Sequence, residues 1–138
     1  MRRRRKSRIL AMSMLHSMDI QKTDDVAIGR LGLDFYSKPF EKSVQNRALK
    51  LVRGVIADAE DIDKKISQQA RNWDFSRIAN LDKQIMRIAI YEVLNEPATP
   101  VPVAINEAVD ISKIYSTKES GHFVNGILDK ICKKNKSQ

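Results

Sequence analysis

The sequence predicts an all-α fold, a compact bundle of about seven helices, and three observations predict it. Apolar residues recur at steps of three and four along nearly all of the 138 residues. Glycine and proline, which punctuate helices, number only 5 and 4. No stretch sustains the two-residue alternation and β-branched enrichment of a strand. With 42% hydrophobic and 30% charged residues, the chain has the make-up of one ordinary globular domain, residues 1–138. Folding at this size hides roughly two-thirds of the unfolded surface, so neither disulfide nor metal staples are required.

A first helix is expected from about Arg4 to Met18, where Leu10, Ala11, Met14, Leu15 and Met18 form one stripe facing the core. Arg5, Arg8, Met12 and His16 fall together on its flank and should share one accessible strip. Thr23 or Asp24 can cap a second helix reaching to about Phe35, weakened by Gly29 and Gly32. After Pro39, the near-heptad spacing of Val44, Ala48, Leu51, Val55, Ile62 and Ile66 suits one long helix or two consecutive ones, with Gly54 as the weak point.

A turn over residues 73–80 leads to Leu81, Ile85, Ile88, Ala89, Val93 and Leu94. Met86 and Ile90 lie on other sides, so this helix is apolar nearly all round and is expected at the centre. Pro97, Pro100 and Pro102 then break the chain, and Pro102 suits the first turn of a helix carrying Ile105, Ala108, Val109 and Ser112 on one face and ending near Tyr115. Ser120 can cap a last helix with Val124, Ile127, Leu128 and Ile131 inward, ahead of a basic tail over residues 134–138 that is expected to fray.

The net charge is +8, and its placement says more than its size. Arg2, Arg3, Arg4, Arg5, Lys6 and Arg8 hold six positive charges, and Lys130, Lys133, Lys134 and Lys136 hold four. These ten leave 15 of the 25 basic residues against all 17 acidic ones between Ile9 and Asp129, so the body of the chain is close to neutral. Positive charge concentrated at the ends draws a polyanion to those ends, whereas an even spread would mainly aid solubility. Nucleic acid or an anionic membrane surface is indicated.

Cys132 stands alone, with no second cysteine for a bridge or a zinc knuckle, which fits a reducing cytoplasm and a packing role. No apolar run approaches the ~18 residues of a spanning helix, and the arginine-rich start lacks the apolar core of a secretion signal. Catalysis needs convergent groups: a nucleophile with its base, paired carboxylates, or metal ligands at helical spacing. His16 and His122 have no HxxxH or HExxH companion, and neither GxGxxG nor GxxxxGK[ST] follows a strand. No enzyme activity, cofactor or metal is expected.

Four segments carry a family resemblance. They are Arg8-Ile-Leu-Ala-Met with Leu15 and Asp19; Leu81-Asp-Lys-Gln-Ile-Met-Arg-Ile-Ala-Ile-Tyr-Glu; Pro102-Val-Ala-Ile-Asn-Glu-Ala-Val; and Phe123-Val-Asn-Gly-Ile-Leu-Asp. In this order they resemble the NusB transcription antitermination family over nearly the whole chain. The resemblance implies two packed helical sub-bundles. It also implies a protein that binds the boxA element of ribosomal RNA leader transcripts together with NusE, a small-subunit ribosomal protein, in a complex that keeps RNA polymerase elongating. The same fold occurs as an appended domain of some ribosomal RNA methyltransferases, and since the chain ends at Gln138, a stand-alone form is expected.

The expected RNA-binding residues are Arg2, Arg3, Arg4, Arg5, Lys6, Arg8, His16, Phe123 and Lys130. Guanidinium groups grip phosphate oxygens two at a time and lie flat on unstacked bases, which a single strand exposes; Lys6 acts more as a point charge. The bland alternative for the arginine run is a solvated terminus. By resemblance His16 stands where the family usually has tyrosine, so it either stacks on a base or is a plain surface histidine. Phe123, at the edge of the last stripe with Lys130 two turns on, is by periodicity either a stacking platform or an ordinary core residue. The resemblance favours RNA, although Gly121 and His122 depart from the usual residues beside it. It also places Asp82 against a basic residue of NusE, while a first-turn carboxylate is favourable through the helix dipole alone. Arg87, Asn106, Glu107 and Asn125 are read as structural, satisfying buried groups or one another. The rival function is a basic amphipathic helix lying on a membrane surface or a partner helix, but the stripe Leu10, Met14, Leu15 and Met18 is needed for the core.

Overall fold

The structure is a computed structural model that describes residues 2–26, 40–72 and 74–136, with only the backbone for 134–136. Among these residues are five α-helices, α1 (Arg3–Ile20), α2 (Lys42–Gln69), α3 (Asn80–Asn95), α4 (Val101–Tyr115) and α5 (Lys118–Lys136), one 3-10 turn (Phe75–Arg77) and no strand. The all-α expectation therefore holds, with five helices described against the seven or so expected. The helix expected to reach Phe35 lies largely outside the described residues. The chain divides into two compact units, Met1–Ala57 and Asp58–Gln138, and α2 runs through the division as one helix.

In the first unit, the α1 stripe Leu10, Ala11, Met14, Leu15 and Met18 is buried as its period requires. Ser7, Arg8, Ile9 and Met12 are buried too, so between residues 7 and 12 the helix is covered nearly all round. This corrects the accessible strip expected on the flank. Met12 is 2% and Arg8 4% exposed, and only Arg5 and His16 remain partly exposed. Periodicity marks the most apolar face but not how much of the remainder neighbours cover, and an arginine stem can lie along apolar surface. The helix closes with Lys22 at φ 54°, and the N–H of Thr23 reaches back to the carbonyl of Met18 at 3.0 Å, a left-handed terminus formed without glycine. From the first half of α2, Val44, Ala48, Leu51, Val52 and Val55 are buried.

In the second unit, α3, α4 and α5 pack on one another, and Ile62 and Ile66 of α2 are buried. α3 is covered on most sides, as its apolar circumference predicts, although Leu94 is exposed and three polar residues, Asp82, Gln84 and Glu92, are buried on it. Pro102 sits in the first turn of α4, where its missing N–H costs nothing, and the helix ends at Tyr115 as expected. α5 begins earlier than expected. Thr117, not Ser120, caps it, because the Thr117 hydroxyl accepts the N–H of Ser120 at 3.0 Å three residues on. At its other end the helix continues through Lys136, into the segment expected to fray.

One ion pair ties α2 to α3 within this unit. Arg87 donates from Nε and Nη2 to the two carboxylate oxygens of Asp63, both at 2.7 Å, and from Nη1 to Oε1 of Gln84 at 3.0 Å. Gln84 in turn donates to Oδ1 of Asn80 at 3.1 Å. A two-pronged guanidinium–carboxylate contact is short and directional, so it fixes the rotation of α3 against the end of α2. Arg87 is thus structural, as expected. Asn106 and Asn125 are both exposed, contrary to that expectation, and satisfy nothing buried. Cys132 is buried, and desolvation followed by the nearby Asp129 pushes its thiol up to about 12, which keeps it protonated and unreactive.

Candidate nucleic-acid interface

Two surfaces carry the residues singled out in the sequence, one on each unit. On the first unit, Arg2, Arg3 and Arg4 are exposed at the start of α1, and Arg5 and Lys6 are partly exposed one turn on. No acidic residue occupies this first turn, although a helix start favours anions and is an unfavourable place for cations. Arg3 pairs with Glu41 at 3.1 Å, but the two side chains are 73% and 57% exposed, so the pair is a weak surface contact and does not lock the guanidinium away from a ligand. Arg8 is buried beneath this group, and His16 lies two turns further along, partly exposed.

On the second unit, Phe123 is partly exposed and lines an open cleft of about 550 Å³, with Lys130 exposed on the same side of α5. The opposite wall is the end of α2 and the residues just after it, Gln69, Ala70, Arg71 and Asn72. Between Phe123 and Lys130 the α5 side is formed by Gly126 and Ile127, with His122 at the edge. The described lining holds two cations, one aromatic ring, an imidazole and two amides, and no carboxylate. Gln69, Arg71, Asn72, His122 and Gly126 were not singled out for RNA contact in the sequence. One of them left a signal there: Gly126 interrupts a stretch of good helix formers, where glycine lowers helix stability.

Asp82 is in the first turn of α3 and only 4% exposed. Its Oδ1 is buried without a hydrogen-bond partner among the described residues. Beside it is a smaller hollow of about 290 Å³, lined also by Arg77, Thr117, Glu119, Ser120 and Phe123. A buried carboxylate oxygen lacking a donor is costly and attracts one from outside. Phe123 therefore stands between the basic cleft and the acidic hollow.

Helices throughout, a cationic helix start and a cleft with cations flanking an aromatic ring define an all-α protein with two cationic surfaces. Among the described residues, no group of histidine, cysteine and acidic side chains can hold a metal ion, and no helix is long and apolar enough to cross a membrane. The chain belongs to the NusB family, which residues 5–133 match. The transcription antitermination protein NusB of Desulforapulum autotrophicum is 38% identical over 128 residues, covering 93% of this chain and 90% of its own length. The structure of NusB from T. maritima matches with a TM-score of 0.84 at 32% identity, covering 97% of this chain and 92% of that one. A chain from a crystal structure of the antitermination factors NusB and NusE in complex with double-stranded RNA matches with a TM-score of 0.82 at 22% identity, over 97% and 98% of the two chains, and shows the shared fold. As a member of this family the protein is a transcription antitermination factor and not an enzyme.

Proposed function

We propose that the protein binds boxA RNA of ribosomal RNA leader transcripts together with NusE, and that this complex supports processive elongation by RNA polymerase in the cytoplasm. The observation that carries the reading is the group of exposed arginines at the start of a well-packed helix, Arg2, Arg3 and Arg4, with Arg5 and Lys6 beside them. Packing of the buried stripe holds that helix in place, so the cations are presented from a fixed base. On the second unit, Phe123 and Lys130 supply a stacking face and a phosphate contact, the combination that suits unstacked bases. Arg8, being buried, acts in the proposal mainly by holding the helix that displays its neighbours, and His16 lies at the margin of the patch. The donor-poor carboxylate of Asp82 is the proposed meeting point for a basic residue of NusE. The membrane-surface alternative loses its apolar face, because Leu10, Met14, Leu15 and Met18 are all buried in the folded protein. A reduced, buried Cys132 accords with the cytoplasm.

Fluorescence anisotropy tests this reading with labelled boxA RNA, a scrambled sequence and a duplex form, each with and without NusE. The boxA single strand is expected to bind best. If about four terminal cations meet phosphates, log affinity falls with log salt at a slope near −3, about −0.7 per contact on a single strand. Arg4→Ala/Arg5→Ala should flatten that slope by two contacts. Equal binding of boxA and scrambled RNA, or a slope near zero, overturns the reading.

A further inference from the structure

Leu94 belongs by its period to the inward stripe of α3, with Ile85, Ile88 and Val93, yet it is 42% exposed near the end of that helix. It lines an open groove of about 440 Å³ that lies within the second unit, together with Asn95 and the stretch of α2 from Asp58 to Gln68. Along α2 the groove carries its charge in order, acidic at Asp58 and Asp61 and basic at Lys64 and Lys65. Asp58, Asp61, Lys65 and Gln68 follow one another by three, four and three residues, which sets them along one face of the helix. Asp61 and Lys65 have the spacing of a helical ion pair. Among the described residues, however, none of the four charges closes an ion pair. Two charges of each sign therefore stand unused beside an uncovered leucine.

We propose that this groove is a contact surface for a second copy of the chain, the two α2 helices lying antiparallel across it about a two-fold axis. The order of the charges selects that occupant. A surface acidic toward one end and basic toward the other is complementary to itself when reversed, and a closed two-fold contact uses the same patch on both sides. With the axis level with residue 63, Asp61 of each copy faces Lys65 of the other, and Asp58 faces Gln68, each pairing made twice. A parallel arrangement would set like charges against each other. The methylene stems of the facing lysines cover Leu94 while their ammonium groups reach the carboxylates. A polyanion is a poor occupant, because Asp58 and Asp61 repel it. One groove and three turns of helix make a small interface, so the dimer is weak, with a dissociation constant on the order of 10–100 μM.

Sedimentation velocity of the full chain tests this, with no RNA present and with thermal melting on every variant. The wild type should pass from monomer to dimer as its concentration rises to about 500 μM, and added salt should weaken the dimer. Asp58→Lys/Asp61→Lys and Lys64→Glu/Lys65→Glu should each stay monomeric, because each sets like charges face to face. An equimolar mixture of the two should recover the dimer, since the reversed charges of one then meet the native charges of the other. Leu94→Ser should weaken the wild-type dimer by about tenfold, the worth of burying part of one leucine. A wild type that remains monomeric at about 500 μM in low salt overturns the proposal, that concentration being well above the expected dissociation constant. A dimer that survives either charge reversal, a mixture that stays monomeric, or undiminished association in folded Leu94→Ser overturns it as well.

Discussion

The two cationic surfaces are built on opposite plans. At the start of α1, exposed guanidiniums project from the first turns of one helix and form no enclosed site. At the cleft of the second unit, Arg71 and Lys130 are only two charges, but they come from opposite walls around a ring and a bare stretch of helix. Charge at a helix end acts at a distance, is screened by salt and tolerates many partners. A walled cleft acts at contact and selects by shape. The comparison assigns attraction to the amino-terminal arginines and discrimination to the cleft, and each assignment can be broken separately.

The largest effect is expected where the cleft is anchored. Its α2 wall lies just beyond Asp63, which Arg87 holds at 2.7 Å with side chains 12% and 25% exposed. Removing one partner of a buried pair costs about 3–5 kcal/mol, and partial solvent access brings the expected loss for Arg87→Ala to about 2 kcal/mol. Urea unfolding of the full chain measures it. Asp63→Ala should cost about the same, and the double variant well under the sum, because each single change removes the same contact. Additive losses would show that the pair is not the tie between α2 and α3.

A second prediction separates arginines that look alike in sequence. Arg8 is buried while Arg4 is exposed, although four residues, about one turn, part them. Arg8→Ala should therefore lower stability by about 1–2 kcal/mol through lost packing and polar contacts, while Arg4→Ala stays within about 0.5 kcal/mol. For RNA affinity the order should reverse. An Arg8→Ala variant that melts like wild type but loses RNA binding would return Arg8 to the interface.

These two surfaces also differ in how far the sequence discloses them. The amino-terminal patch is contiguous, so composition alone locates it, and the period of Leu10, Met14 and Leu15 correctly names the buried face beneath it. Period could not disclose that Arg8 and Met12 are covered as well, because that depends on which neighbours close over the flank. The cleft joins residues some fifty positions apart, Arg71 and Phe123, and no local pattern connects them. Phe123 was ambiguous between core and surface for the same reason: a residue at the edge of a stripe is decided by what packs beside it. Thr117 and Ser120 show the limit at helix ends: the sequence pattern points to a cap at Ser120, and the backbone geometry puts it three residues earlier, at Thr117.

The smallest effect concerns the turn that leads out of the cleft wall. Asp74 opens the 3-10 turn Phe75–Arg77, its Oδ1 accepting the N–H of Ser76 at 3.0 Å. That backbone bond, then the Ser76 hydroxyl, and more weakly the charge of Lys83, hold the carboxyl below its ordinary value of 3.8. Because the folded carboxyl binds its proton less readily than the unfolded one, its contribution to stability is present in full above 3.8 and is lost as pH falls through the lowered folded value. Asp74→Asn removes this titration, so the difference in melting temperature between wild type and variant should be present near about pH 6 and shrink toward about pH 3. The carboxyl is exposed, so the difference will be small. Its pH dependence is the informative part: a gap that stays constant over this range would mean that Asp74 and its near-isosteric replacement differ in hydrogen bonding at the turn and not through the charge of the carboxylate.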